Sequence, residues 1–256
     1  MVAEDTDILV LLIHHTPSAA SELFLTTSKG TYNVTELFNT LNDNEKKRLL
    51  FIHAFTGCDT VSAIYRHTKV SLFNKLCSDD EDLEDEFTVL MSVESLQEDI
   101  MEEGVMLFQY IYGDIDKTLT ELRVAKYSKL IISKTLKPEA LPPTEGAAKQ
   151  HTLRAKLQFQ DWDMLSTMTL PPTVCGWKVT DSGQYTPIGS SDLVAPDQIL
   201  KLTACNYQLK SKCKSARCSC RIMGMKCIEA CGNCNGVECD NSGHVSVEAE
   251  QEDENM

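Results

Sequence analysis

The sequence lacks an apolar segment long enough to cross a membrane and lacks the usual features of a secretory signal. The run "ILVLLI" at residues 8–13 is far shorter than the roughly 20 residues that a membrane-spanning helix needs. Met1 is followed directly by "VAEDTD", without a basic segment or a small-residue cleavage site. We therefore expect an intracellular protein that has no membrane partner and whose thiols stay reduced.

Positive charge is also scarce. The chain has 24 lysines and arginines against 38 aspartates and glutamates, which gives a formal net charge of −14. Such a chain should not bind nucleic acid through its overall field, because phosphate backbones attract cations. Any contact with nucleic acid therefore requires a local basic surface.

Motifs for several common enzyme classes are missing as well. The sequence contains no serine or cysteine nucleophile signature, no P-loop and no dinucleotide-binding fingerprint. Cys58 follows a glycine, but no base is placed for it, so burial is the simpler interpretation. His53 falls on the apolar face of a predicted helix, where a core histidine is expected. The remaining candidate sites in the sequence are therefore metal sites, one made of cysteines and one of carboxylates.

The order of predicted elements favours an α/β fold that is mostly helical. The stretch "SELFLTTSKGTYNV" predicts two short strands around a turn at residues 28–30, and the apolar run at 8–13 fits either a buried strand or a buried helical turn. Predicted helices cover residues 34–41, 44–55, 95–112, 117–133 and 147–164, and another should begin after Asp59. Residues 170–189 should be irregular or weakly β, and an acidic disordered tail should follow Asp240.

Cysteine is concentrated near the end of the chain. Eight of the eleven cysteines form this cluster, and they are Cys205, Cys213, Cys218, Cys220, Cys227, Cys231, Cys234 and Cys239. In a reducing compartment such a cluster indicates metal binding rather than disulfides. The segment has few large apolar residues, and structural zinc would supply the missing folding free energy, on the order of 10–16 kcal/mol. Eight thiolates match two four-cysteine sites or a cluster with bridging sulfurs, and the close pair Cys218 and Cys220 favours the cluster.

Basic residues are interspersed among these cysteines. The candidate nucleic-acid-binding residues are Tyr207, Lys212, Lys214, Arg217, Arg221 and Lys226, and Lys210 lies in the same stretch. Cations and an aromatic ring on a metal-stabilised loop suit phosphate contacts and groove insertion. The alternative is that the lysines only keep a small module soluble.

The stretch "CKSARCSCRIMGMKCIEACGNC", at residues 213–234, resembles half of a tesmin-type CXC module. The resemblance implies a zinc cluster and DNA contacts made by basic residues and a tyrosine. This sequence has one unit rather than two, and its last two ligands are separated by two residues rather than one. Arg217 stands where the family has a tyrosine before the Cys-x-Cys pair.

Two acidic segments form a second candidate site. Asp5 and Asp7 are two residues apart, and on an extended segment this spacing directs both carboxylates to the same side. Asp59 follows Gly57 and Cys58 at a predicted helix junction. Carboxylates suit Mg²⁺, and paired ions can clamp a phosphodiester during hydrolysis. The alternative is that Asp59 caps a helix that begins at Thr60, a role worth about 1 kcal/mol.

Residues 1–76 resemble the flap-endonuclease branch of the PIN-like nucleases, in which an E-D-x-D pair follows a strand and a later G-x-D precedes a helical hairpin. The resemblance implies that Asp5, Asp7 and Asp59 are catalytic Mg²⁺ ligands. The acids that the family carries upstream, and its Gly-Ile-Gly turn, are not found here. We therefore expect these three ligands to be vestigial and the chain to be catalytically impaired by N-terminal truncation. "AEDTDILVLLIHH", "FIHAFTGCDT", "LPPTEGAAKQH" and a Cys-rich tail also resemble, in this order, transposon-associated animal proteins.

These expectations define an organisation and a function. A truncated PIN-like α/β domain should cover residues 1–136, with a linker and helical segment at 137–200, a zinc-binding CXC-like module at 201–241 and the acidic tail at 242–256. The leading hypothesis is a nuclear, zinc-binding protein that associates with DNA and derives from a transposon-associated nuclease-like protein. The alternatives are an Mg²⁺-dependent structure-specific endonuclease and a zinc-stabilised protein-interaction module.

Overall fold

The structure is a computed structural model with two compact units. It describes residues 1–17, 21–78, 83–132, 137–163, 170–192, 213, 218–222, 227, 231, 234 and 239–241. Unit 1 comprises Met1–Arg123 and Pro138–Asp192, and unit 2 comprises Val124–Lys137 and Leu193–Met256.

The described residues are mainly helical, with small sheets. The helices are α1 Thr6–His14, α2 Val34–Thr40, α3 Asp43–Phe55, α4 Lys69–Leu76, α5 Glu84–Met91, α6 Gln97–Tyr112, α7 Leu119–Ile132, α8 Glu145–Asp163 and α9 Ser219–Ile222, with 3-10 turns at Pro138–Ala140 and Pro172–Val174. The strands are β1 Phe24–Thr27, β2 Gly30–Asn33, β3 Trp177–Val179 and β4 Tyr185–Pro187. They form two antiparallel hairpins, β1 with β2 and β3 with β4. An isolated parallel bridge also joins Val2 to Thr26 beside β1.

The apolar run at residues 8–13 is helical rather than extended. Asp5 caps α1, because its carboxylate accepts a hydrogen bond of 2.9 Å from the Asp7 backbone N–H. Ile13 packs beside Leu25 of β1 and Val34 of α2. The continuous apolar sequence did not distinguish these states, and the cap together with this packing decides in favour of the helix.

The core of unit 1 lies where α3, α6 and α8 meet. Phe51 of α3 stacks on Phe55 and makes edge contacts with Phe87 and Phe159. Helix α8, which lies wholly within the segment expected to be a linker and a helix, agrees with the helix predicted over 147–164 and contributes Phe159 and other buried residues to this core. Where α6 crosses α8, Gly104 allows the backbone to approach Thr152 closely.

The prediction of a helix starting at Thr60 is wrong. Residues 57–68 form a loop, and α4 begins only at Lys69, where the Thr68 hydroxyl accepts a 3.1 Å hydrogen bond from the Ser71 N–H. Gly57 turns the chain with φ +116°, and the backbone of the loop folds back onto it at Ala63. Asp59 is therefore an exposed loop residue and does not cap a helix.

Other element predictions agree with the structure. The hairpin around residues 28–30 is confirmed, and so are the helices predicted over 34–41, 44–55 and 95–112, each within three residues at either end. Residues 170–189 contain a 3-10 turn and the β3–β4 hairpin, as a weakly β segment should. The start of α3 is fixed by a reciprocal capping box, in which Asn42 and Glu45 each accept a hydrogen bond from the other's backbone N–H.

Candidate metal centre

The described cysteines of unit 2 converge on one cluster. Two sets of four have all their sulfurs within 4.8 Å of one another, and they are Cys213, Cys227, Cys234 and Cys239, and Cys213, Cys218, Cys227 and Cys231. The sets share Cys213 and Cys227, so together they comprise six thiols. Cys220 is buried beside them and belongs to neither set. The cluster can therefore hold a metal ion, and the two sulfurs that the sets share are in a position to bridge two ions.

The sulfur separations suit a tetrahedral ion. The Cys213 and Cys231 sulfurs are 4.0 Å apart, and those of Cys218 and Cys227 are 3.8 Å apart. A Zn–S bond of about 2.3 Å in tetrahedral geometry requires ligand sulfurs roughly 3.8 Å from one another. The thiols thus already lie close to the spacing that zinc imposes, and none of the seven described thiols of the cluster forms a disulfide.

Asn241 supports two of these sulfurs. Its side-chain Nδ2 donates to Cys227 Sγ, and its backbone N–H donates to Cys239 Sγ, both at 3.4 Å. Its backbone carbonyl accepts a 2.7 Å hydrogen bond from the Cys227 N–H. Such N–H donors orient ligand sulfurs and stabilise their negative charge. Desolvation raises the pKa of Cys227, because burial disfavours the thiolate. A bound cation that replaces the proton would stabilise this thiolate.

The basic residues of this segment are only partly described. Arg221 is exposed on α9, and its guanidinium lies 3.5 Å from the Cys213 carbonyl oxygen, to which it donates. The other candidates lie outside the described residues: Cys205, Tyr207, Lys210, Lys212, Lys214, Arg217 and Lys226. The predicted acidic tail at 242–256 also lies outside them.

In unit 1, the segment that carries Asp5 and Asp7 is not an extended strand, so the expectation that both carboxylates lie on one side of an extended segment is wrong. Asp5 is the N-cap of α1, and Asp7 lies in its first turn. The Asp7 carboxylate accepts a 2.6 Å hydrogen bond from His53 Nε2 on α3. The two carboxylates therefore have separate partners, one in the backbone of α1 and one in a buried imidazole.

His53 connects Asp7 to Lys69. The Lys69 ammonium lies 3.2 Å from His53 Nδ1 and donates at 3.0 Å to the His53 carbonyl oxygen. The Asp7 carboxylate can only accept, so Nε2 carries the proton that is shared with it, and Nδ1 of the neutral ring is left as an acceptor. Burial lowers the pKa of His53, although the hydrogen bond to Asp7 opposes this, and the ring is neutral in this arrangement.

The second acidic segment, residues 57–59, begins the loop that leads to Lys69. Burial lowers the pKa of Lys69, and the negative charges of Asp7 and Asp5 act in the opposite direction. Asp59 follows Cys58 and is exposed. Across the described ranges, cysteines alone form groups of three or more potential ligands within 4.8 Å.

Sequence reasoning did not single out Lys69 or Asn241 and assigned His53 to core packing. His53 is indeed buried, with 6% of its surface exposed, but it also holds a carboxylate. For Asn241 a signal was present, because an amide two residues after a terminal ligand cysteine can reach ligand sulfurs. No comparable signal existed for Lys69, whose role depends on where the loop returns to α3.

The comparisons with known proteins give no assignment. No family profile, curated protein or solved structure matches the chain. Within the described ranges, no helix combines the length and apolar character that a membrane crossing requires.

Proposed function

We propose that the chain is a nuclear zinc protein that associates with DNA through its Cys-rich module, residues 201–241. The observation that carries the proposal is the pair of overlapping four-thiol sets, whose sulfur spacing suits zinc. Zinc ions bound by these six thiols, four to each ion with two shared, would stabilise a short segment that has little apolar surface of its own.

The cationic residues of the module support the choice of nucleic acid. Six lysines and arginines lie between residues 210 and 226 of an otherwise acidic chain, and Arg221 is exposed next to the cluster. Six phosphate contacts would give a slope of about −5 when the logarithm of the association constant is plotted against that of the salt concentration. An acidic chain needs such a localised basic surface to overcome its overall repulsion from phosphate.

The test is fluorescence anisotropy of the full chain with labelled duplex DNA over a salt series. We expect binding at low salt, a steep negative slope, and loss of binding after zinc chelation. The double variant Arg217→Ala with Arg221→Ala should flatten the slope by about two. Arg66→Ala, which removes an exposed arginine of unit 1, is the matched control and should leave the slope unchanged. Zinc binding without DNA affinity at low salt would instead favour the protein-interaction module.

A second candidate, ancestry in a PIN-like nuclease with Asp5, Asp7 and Asp59 as former Mg²⁺ ligands, has one supporting observation. The Lys69 ammonium experiences the charges of Asp7 and Asp5, and the loop that leads to Lys69 carries the exposed Asp59. A lysine in this region competes with a divalent cation for the carboxylates. We therefore expect negligible cleavage of flap or single-stranded DNA in Mg²⁺. Cleavage that disappears in Asp59→Asn would show instead that the chain is an active Mg²⁺-dependent endonuclease.

A further inference from the structure

Unit 1 contains a cleft of about 340 Å³ that neither metal site uses. It lies between α6, α8 and the loop at residues 57–68, and its walls include the aromatic side chains of Tyr65, Phe108 and Tyr112. The volume lies within the range of small-molecule sites, which have mostly apolar walls and a few polar groups that orient the ligand. The charge of those polar groups therefore indicates the class of ligand.

Arg154 is the one lysine or arginine among the described residues that line the cleft. Its Nη1 donates to the carbonyl oxygens of Gly176 and Ile188, at 3.4 and 3.3 Å, on either side of the second hairpin. A Cβ at Gly176 would lie 3.2 Å from Arg154 Cγ, so the glycine leaves room for the arginine stem. The guanidinium is thereby held in one orientation.

The other edge of this guanidinium is formed by Nε and Nη2, which have no hydrogen-bond partner among the residues that the structure describes. In that part of the chain, the buried side-chain atoms without a partner do not include these two nitrogens, so both are accessible to a ligand. The N–H groups on this edge are parallel and match the two oxygens of a carboxylate. The unpaired edge of Arg154 therefore suits a planar anion.

The charge of Arg154 also lacks compensation. Burial lowers its pKa, and no acidic group of the described chain acts in the opposite direction. Glu139, the carboxylate in the lining, is exposed to solvent. Burial lowers the pKa of His151 to about 4, so this lining residue is neutral at pH 7 and adds no second cation. One guanidinium balances one negative charge, and a dianion would bring a second charge without a partner.

We propose that this cleft binds an aromatic monocarboxylate, with the carboxylate on the Nε–Nη2 edge of Arg154 and the ring against Tyr65 and Tyr112. Aromatic rings make favourable stacked or edge contacts with one another. Burial also raises the pKa of Tyr112, so its hydroxyl stays protonated and can donate to an anion. The inference is independent of the zinc module, because the lining belongs to unit 1.

Isothermal titration of the full chain at pH 7.5 with 3-phenylpropanoate tests the proposal. We expect measurable binding, and binding at least about tenfold weaker for 3-phenylpropanamide, which has the same shape but no charge. Acetate, which has no ring, should also bind at least about tenfold more weakly. The dianion 2-phenylethyl phosphate should bind no more tightly than the carboxylate. Lack of 3-phenylpropanoate binding, equal affinity for the amide or for acetate, or a preference for the phosphate would each overturn the proposal.

A variant of Arg154 tests the carboxylate contact. Arg154→Gln should reduce the preference for 3-phenylpropanoate over its amide to less than about threefold, because the charge that distinguishes the two compounds has lost its partner. A general loosening of the fold would weaken both compounds together and leave this ratio unchanged. A ratio that stays near tenfold in folded Arg154→Gln would refute the assigned contact.

A matched pair of tyrosine variants tests the location and does not depend on the folding of Arg154→Gln. Arg154 also lines a second cleft of about 190 Å³, which lies below the usual volume of small-molecule sites. Tyr65 lines only the larger cleft, and Tyr185 lines only the smaller one. Tyr65→Leu should weaken 3-phenylpropanoate binding at least about threefold, whereas Tyr185→Leu should leave it unchanged. Equal losses in the two variants, or a loss in Tyr185→Leu alone, would contradict binding in the larger cleft.

Discussion

The overlap of the two thiol sets predicts that equivalent-looking cysteine substitutions will have different effects on metal content. Cys227 belongs to both sets, whereas Cys231 belongs to one. Replacing Cys231 by serine leaves the other set of four complete, so one ion should stay tightly bound. Replacing Cys227 leaves only three thiolates in each set, so both ions should be weakened together.

The magnitude follows from the number of ligands. A four-ligand structural zinc site contributes about 10–16 kcal/mol, so one thiolate corresponds to about 3 kcal/mol, or roughly a hundredfold in affinity. Cys231→Ser should show this loss for one ion, and Cys227→Ser should show it for both. Asn241 adds to the asymmetry, because its Nδ2 hydrogen bond to the Cys227 sulfur would also be weakened.

The assay is elemental analysis of zinc per chain after dialysis against a competing chelator under reducing conditions. Cys175→Ser, which changes a buried cysteine of unit 1, is the control and should keep the full zinc content. If Cys227→Ser and Cys231→Ser lost the same amount of zinc, shared ligation would be refuted. If the unmodified chain bound no zinc at all while remaining folded, the metal centre itself would be refuted.

Three further predictions concern unit 1. Gly104→Ala should destabilise the protein in urea unfolding by about 1–3 kcal/mol, because the added Cβ would lie 2.0 Å from Thr152 Oγ1, a clash that outweighs alanine's advantage of about 1 kcal/mol in a helix. Gly57→Ala should lower the free energy of unfolding by about 2 kcal/mol or more in the same assay, because φ is +116° and the new Cβ would lie 2.6 Å from Ala63 Cα. The free energy of unfolding should fall by about 3 kcal/mol as the pH decreases from 6.5 to 4 because of His151. In the unfolded chain this imidazole takes up a proton near pH 6.5, whereas burial lowers its pKa in the folded chain to about 4, so protonation favours the unfolded state.

Matched controls accompany these predictions. Gly189→Ala adds a Cβ that meets nothing within 4 Å at an ordinary backbone angle, so it should be neutral or slightly stabilising. If Gly104→Ala were more stable than the unmodified protein, the contact between α6 and α8 at Gly104 would have room for a methyl group, and the steric reasoning would be refuted. For the pH dependence, His151→Gln should have a shallower fall between pH 6.5 and 4, and an unchanged profile would assign the effect to other groups.

Local chemistry made part of this protein predictable. The clustering of Cys213 and the following cysteines in a segment poor in apolar residues indicated a metal-binding module, and the thiols do converge. The hairpin at residues 28–30 and helix α3 were predicted because turn residues, capping and periodicity act between near neighbours in sequence. The DNA partner and the nuclease ancestry remain predictions that rest on residue pattern.

Only the tertiary structure decided the rest, because it depends on contacts between residues distant in sequence. The run at residues 8–13 suited a helix and a strand equally, and its cap together with packing on Leu25 selected the helix. Asp7 was singled out as a metal ligand, yet its partner His53 lies 46 residues away and becomes its neighbour only when α1 meets α3. In the same way, spacing predicted a thiolate cluster but not which cysteines share an ion, since sulfur-to-sulfur distances arise only once the chain has folded back on itself.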